Sequence, residues 1–125
     1  MTPRYALHPR AVIDFNTQFN GPHCLLDKGK LEGALSRPLT VAFGEELFPT
    51  DYHRAAALLE SLCLAHAFID ANKRTAWWAC VTYLDGHGIH LAANPIEAGK
   101  IVIDVVQHDR DIDNIAHWLL KHTTQ

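Results

Sequence analysis

Four residues, Asn94-Pro95-Ile96-Glu97, combine a helix-capping side chain, a proline suited to a first helical position and a glutamate three residues after the cap. Together they write the start of an α-helix. The same punctuation recurs along the chain, and between the marks apolar residues return at helical spacing. Pro9 opens a helix to about Phe19 with Val12, Phe15 and Phe19 on one side, stopped by Asn20-Gly21-Pro22. A second fits Asp27 to Arg37, ended by Pro38. Thr50 or Asp51 caps a third, in which Ala55, Leu58, Leu59, Leu62 and His66 share a face.

A fourth helix runs from about Lys73 to Asp85, with Ala76, Trp77, Cys80, Val81 and Leu84 inward and Gly86 and Gly88 at its end. The fifth extends from Asn94 to about Gln107, and Asp111 caps a sixth carrying Ile112, Ile115, Ala116 and Leu119. Only Leu39 to Phe48 and Ile89 to Ala92 read as extended. The expected fold is all-α, a compact single-domain bundle of about six helices over residues 1–125, with a short extended flap near residues 41–48.

Composition bounds the function. At 125 residues and 48% hydrophobic, one core can bury about two-thirds of the unfolded surface. A net charge of -3 and a pI near 6.3 argue against direct nucleic-acid binding, because phosphate backbones select basic faces. The N-terminal MTPRYALHPRAVIDF lacks the apolar core of a signal peptide, and no run approaches membrane-spanning length. A cytoplasmic protein is expected. Cys24, Cys63 and Cys80 are odd in number and without metal-ligand spacing, so buried free thiols are expected.

The chemistry concentrates in HAFIDANKRTA, residues 66–76. His66 extends the apolar face of the third helix, and taken alone it reads as a core histidine. Asn72 taken alone reads as a helix cap. Lys73 and Arg74 fit less easily, because a helix start carries free N–H groups and a partial positive charge that disfavour cations. An anion docked there removes the conflict. The backbone N–H groups of Ala71, Asn72, Lys73 and Arg74 can form a cradle, Lys73 supplies a point charge and Arg74 a bidentate fork. Asp70 is placed to hold Mg²⁺ together with phosphate oxygens. His66 can take a proton from an attacking hydroxyl. These are the parts that phosphoryl or nucleotidyl transfer needs.

His66-Ala67-Phe68-Ile69-Asp70-Ala71-Asn72-Lys73-Arg74 resembles the signature H-x-F-x-[DN]-[AG]-N-K-R of the Fic/Doc superfamily, in its Doc-like branch. Leu31-Glu32-Gly33-Ala34-Leu35-Ser36-Arg37-Pro38 is similar to an upstream Leu-x-x-Ala-Leu-x-Arg-Pro segment, and Tyr83-Leu84 with His87-Gly88 to a helix end in such proteins. The adenylylating branch has H-P-F-x-x-G-N-G-R-x-x-R, with glycine where Lys73 stands and a second arginine where Trp77 stands. The resemblance therefore implies a toxin that binds ATP and Mg²⁺ and moves the γ-phosphate to a protein hydroxyl, with a threonine of elongation factor Tu as the known target class. It implies His66 as the base, Asp70 as the metal ligand, and Ala71, Asn72, Lys73 and Arg74 as phosphate holders, with Lys73 part of the catalytic set. Ala67 departs from the common proline, and Leu62-Cys63-Leu64-Ala65 is apolar where relatives often carry a basic residue.

Many Fic proteins restrain themselves with [ST]-x-x-x-E-[GN]; no serine or threonine here has glutamate four residues on. Doc-like proteins similarly rely on a separate antitoxin, so a Phd-like partner docking on the first two helices is the expectation. Adenylyl transfer and a non-catalytic co-repressor module are the alternatives. A metal phosphohydrolase built on His108-Asp109 with His53 or His66 is a further rival.

Overall fold

The structure is a computed structural model that describes residues 4–124; Met1, Thr2, Pro3 and Gln125 of the expected domain lie outside them. Six α-helices carry the fold: α1 (Pro9–Asn20), α2 (Lys28–Ser36), α3 (Asp51–Ala65), α4 (Asn72–Gly86), α5 (Pro95–Val106) and α6 (Ile112–Lys121). The all-α reading holds. None of these helices is long and apolar enough to cross a membrane.

Helix α3 is the centre. Its residues Ala55, Ala56, Ala57, Leu58 and Leu59 are all fully buried, so the helix has no solvent face there. A helix that is apolar on all sides must be surrounded, and α3 packs against α2, α4, α5 and α6. Thr50 caps it through the His53 N–H, Asp27 caps α2 through Lys30, and Asp111 caps α6 through Asn114. The capping box before α5 closes in both directions between Asn94 and Glu97. The upstream segment is structural: Leu31, Ala34 and Leu35 enter the core, and Arg37 donates to Glu60 and Ser61 of α3 at 2.8 and 2.9 Å. After Ser36 the chain tightens into a 3-10 turn, Arg37–Leu39, instead of stopping at Pro38.

The expected flap is a minimal hairpin, β1 (Val41–Ala42) against β2 (Glu45–Glu46), with Val41 opposite Glu46. Phe43 and Gly44 both take positive φ, 53° and 79°, as a two-residue hairpin turn requires. A second pair joins β3 (His90–Leu91) to β4 (Thr123–Thr124).

Three side-chain expectations are corrected. Phe19 is 42% exposed while Asn16, one turn after Val12, is fully buried, because its amide is used inside the protein. On α4 the buried face is Thr75, Ala76, Ala79, Cys80, Tyr83 and Leu84, whereas Trp77 and Val81 are half-buried. The face is turned because Thr75 pairs with Asn16. His66, expected on the apolar side of α3, is exposed. The helix ends at Ala65, and His66 follows in the left-handed region at φ 47°, ψ 47°, so helical spacing no longer governs its direction.

Candidate active site

The loop between α3 and α4 is held by three sets of bonds. A short extended segment pairs with it: Leu26 and Asp27 N–H groups donate to the Ala67 carbonyl at 2.8 and 3.2 Å, and Ile69 N–H donates to the Cys24 carbonyl at 3.0 Å. Phe68 is buried as the loop's anchor, only 2% exposed. Asn72 then clamps Phe68, accepting its N–H and donating to its carbonyl.

The third set was not foreseen from sequence. Asn16 donates to the Asp70 carbonyl and to the Thr75 hydroxyl, each at 3.0 Å. Asn20 donates to the same carbonyl at 2.9 Å and to Asn16 at 2.8 Å. The one sequence signal was a polar residue in the apolar stripe of α1. The Cys24–Asp27 pairing is non-local and left no signal at all.

Helix α4 begins at Asn72, one residue before the expected start near Lys73. Its N-cap is Ala71 in the left-handed region, φ 60°, ψ 26°, with no side-chain cap and no acidic residue in the first turn. Asn72, Lys73 and Arg74 follow as its first residues. A left-handed residue ahead of a helix turns successive N–H groups toward one side, a concavity suited to an anion. Lys73, Arg74 and Asp70 are exposed, and none joins an ion pair among the described residues. The Arg74 guanidinium lies 4.6 Å from the centroid of the Phe19 ring, a cation–π contact that holds the side chain while leaving its donors open.

His66, Asp70, Ala71, Asn72, Lys73 and Arg74 thus line one cleft of about 710 Å³, with Phe19, Asn20 and Ile69 completing it. That volume lies within the range of small-molecule sites. The residues fit the groups the sequence implied: among the described residues, the Asp70 carboxylate has no protein partner and could take a hard cation, and Lys73 and Arg74 have no protein anion and could take phosphate. Cys63 is not a nucleophile beside them. Burial pushes its thiol up to about 12, against the lowering influence of Lys73, so the neutral form prevails.

The metal phosphohydrolase rival lacks its ligand set. Among the described residues no three histidine, cysteine, aspartate or glutamate side chains come together as a metal site. His53 pairs with Asp113, and His108 and Asp109 are exposed after α5.

Fold and loop define a helical protein in which the start of α4, with Lys73 and Arg74 exposed on its first turn, shares one cleft with a histidine and a carboxylate. The model of the Fic/DOC family matches residues 5–84, and the chain belongs to the Fic/Doc family. Toxin Doc of Mycolicibacterium smegmatis is 40% identical over 100 residues, spanning 78% of this chain and 77% of that protein.

Proposed function

We propose that this chain is the toxin of a toxin–antitoxin pair and a kinase-type phosphotransferase that moves the ATP γ-phosphate to a protein serine or threonine hydroxyl. The observation that carries this reading is Lys73 at the second position of α4, exposed beside His66, Asp70 and Arg74 in one cleft. The nucleophilic hydroxyl gives its proton to the His66 imidazole as its oxygen bonds the γ-phosphorus. The bridging oxygen leaves with ADP. Lys73, Arg74 and the N–H groups at the start of α4 hold the phosphates through the reaction. Asp70 would hold Mg²⁺, which when bound supplies charge neutralisation on the phosphate oxygens.

Trp77 supports phosphoryl over adenylyl transfer. It stands where the adenylylating branch has its second arginine, and its ring meets Trp118 edge-on with centroids 6.1 Å apart. The position contributes packing and no charge. A target in translation, elongation factor Tu, and a cytoplasmic place of action follow from the Doc-like resemblance. A Phd-like antitoxin would cover the apolar side of α1, where Phe19 is 42% exposed.

Incubation of the protein with elongation factor Tu, Mg²⁺ and either α- or γ-labelled ATP tests the reading. Label from the γ position is expected; label from the α position would establish adenylyl transfer, and no label would favour a binding module or another target. His66→Asn keeps a residue tolerant of the left-handed region and should cut transfer about a hundredfold or more. Lys73→Ala should do the same with the fold intact.

A further inference from the structure

Two adjacent rows of α1 reach the start of α4, and they hold different things. Asn16 and Asn20, one turn apart, hold the Asp70 carbonyl. Phe15 and Phe19, also one turn apart, form the neighbouring row, and their rings meet edge-on with centroids 5.3 Å apart. Phe15 stacks on Trp78 of α4 at 4.4 Å, with the ring planes 9° apart. Phe19 lies under the Arg74 guanidinium, 4.6 Å from the ring centroid. Arg74 and Trp78 are in turn neighbours on one side of α4, at positions i and i+4. Trp78, Phe15, Phe19 and Arg74 therefore close a ladder between the two helices.

The ladder is packed at one end and open at the other. Phe15 and Trp78 are half-buried, whereas Phe19 is 42% exposed and Arg74 is exposed. An exposed aromatic ring alone needs no explanation; this one carries a cation over its face. Arg74 has no ion pair among the described residues. A long side chain left so free gives up much rotamer freedom when a ligand fixes it. Stacking on a ring limits that freedom beforehand and uses none of the guanidinium's N–H donors.

We infer that Phe19 is a positioning residue: it presets the Arg74 guanidinium for the anion received at the start of α4, while Phe15 and Trp78 fix the place of the Phe19 ring. This rests on the phosphate-binding part of the phosphotransferase reading and deepens it. Helix α1 thereby aligns two charged residues of the cleft at once, Asp70 by its carbonyl and Arg74 by its guanidinium. Phe19 acts through Arg74 and not on the anion, because its ring has no donor and its face is negative. Binding is tighter when the side chain already holds the conformation it needs.

The test titrates inorganic tripolyphosphate with Mg²⁺ into the full chain and its variants by calorimetry, and follows the Arg74 side-chain protons by NMR. In the parent the Phe19 ring current should shift those protons upfield. Phe19→Leu keeps apolar bulk at an exposed position and should melt close to the parent. It should abolish the upfield shift and weaken tripolyphosphate about two- to fivefold, the strength of one exposed cation–π contact. Phe19→Tyr keeps the ring face and should restore both. In an Arg74→Ala background Phe19→Leu should have no further effect on binding. Unshifted Arg74 protons in the parent would overturn the inference, as would a shift lost in Phe19→Leu with affinity unchanged. Equal weakening with and without Arg74 would show that Phe19 acts by another route, and would overturn it too. Tripolyphosphate bound as tightly by Arg74→Ala as by the parent would take Arg74 out of the phosphate site. That result sinks the phosphate role of Arg74 and this inference together, and the intact ring-current shift of the parent tells it apart from the others.

Discussion

Asn72 grips Phe68 by both of its backbone groups: the Phe68 N–H donates to Asn72 Oδ1 at 3.0 Å, and Asn72 Nδ2 donates to the Phe68 carbonyl at 2.9 Å. One side chain thereby fixes the whole turn between the buried anchor and the first residue of α4. Each bond contributes about 1 kcal/mol. Asn72→Ala should therefore lower stability by about 1–3 kcal/mol and weaken tripolyphosphate binding, because the N–H groups lose their common aim. Asn72→Asp keeps the acceptor, loses the donor and sets a carboxylate against the Phe68 carbonyl. Urea denaturation should rank it below the parent; equal stability would show that the clamp contributes little.

Beneath that clamp, Asn16 and Asn20 both donate to the Asp70 carbonyl, and only Asn16 is fully buried. Asn16→Ala strands the Thr75 hydroxyl in the core as well as halving the hold on Asp70. A cost of about 2–3 kcal/mol is expected, since a buried polar group left unpaired loses its full solvation. Asn20→Ala leaves the carbonyl bonded to Asn16 and should cost less than about 1 kcal/mol. Because the pair is itself bonded, the double variant should depart from additivity by about 0.5 kcal/mol or more. Strict additivity in a denaturation cycle would separate the two asparagines.

Much of this was legible in advance, and the failures share a cause. Caps at Asn94 and Asp111 were read correctly, and Thr50 was one of the two candidates offered for the third helix beside Asp51, because capping is local: the partner lies three residues away. Lys73 and Arg74 were legible as a violation, two cations at a helix start with no acidic residue in its first turn. The inward faces of α1 and α4 were misjudged because Asn16 and Thr75 satisfy each other across 59 positions. A polar residue buried with a distant partner cannot be told in sequence from one facing solvent. His66 was misplaced for a different reason: a left-handed residue ends the helical period without any glycine to announce it.

The start of α5 offers a pH-dependent contrast. Glu97 closes the capping box by accepting the Asn94 N–H at 3.2 Å and also meets His122 Nε2 at 3.0 Å. Its carboxyl is held below the ordinary value of 4.5, first by the Asn94 backbone N–H and then by His122. A depressed pKa means that the folded state binds this proton less readily than the unfolded state. The contribution is therefore present above about 4.5 and is lost as the pH falls through the folded value. Melting temperature followed from pH 6 to pH 3 should fall less steeply in Glu97→Gln, which keeps the acceptor and takes up no proton. Parallel curves would place the acid sensitivity elsewhere.

Ala71 starts α4 from a conformation alanine rarely adopts, φ 60° and ψ 26°. A left-handed residue with a Cβ costs about 1–2 kcal/mol, and replacing it with glycine removes that cost. Glycine also raises the entropy of the unfolded chain, an opposing effect of about 0.4–1 kcal/mol. Ala71→Gly should therefore be neutral to about 1 kcal/mol more stable, with tripolyphosphate binding retained. Valine in the same place is strained at both backbone and side chain. It should cost about 2 kcal/mol or more and swing the N–H groups of α4 away from the cleft. Tripolyphosphate binding should then fall more than stability alone accounts for, when measured at temperatures where the variant remains folded. A valine variant that binds as tightly as the parent would mean that the cations alone hold the anion, and that the turn at Ala71 serves only to start the helix.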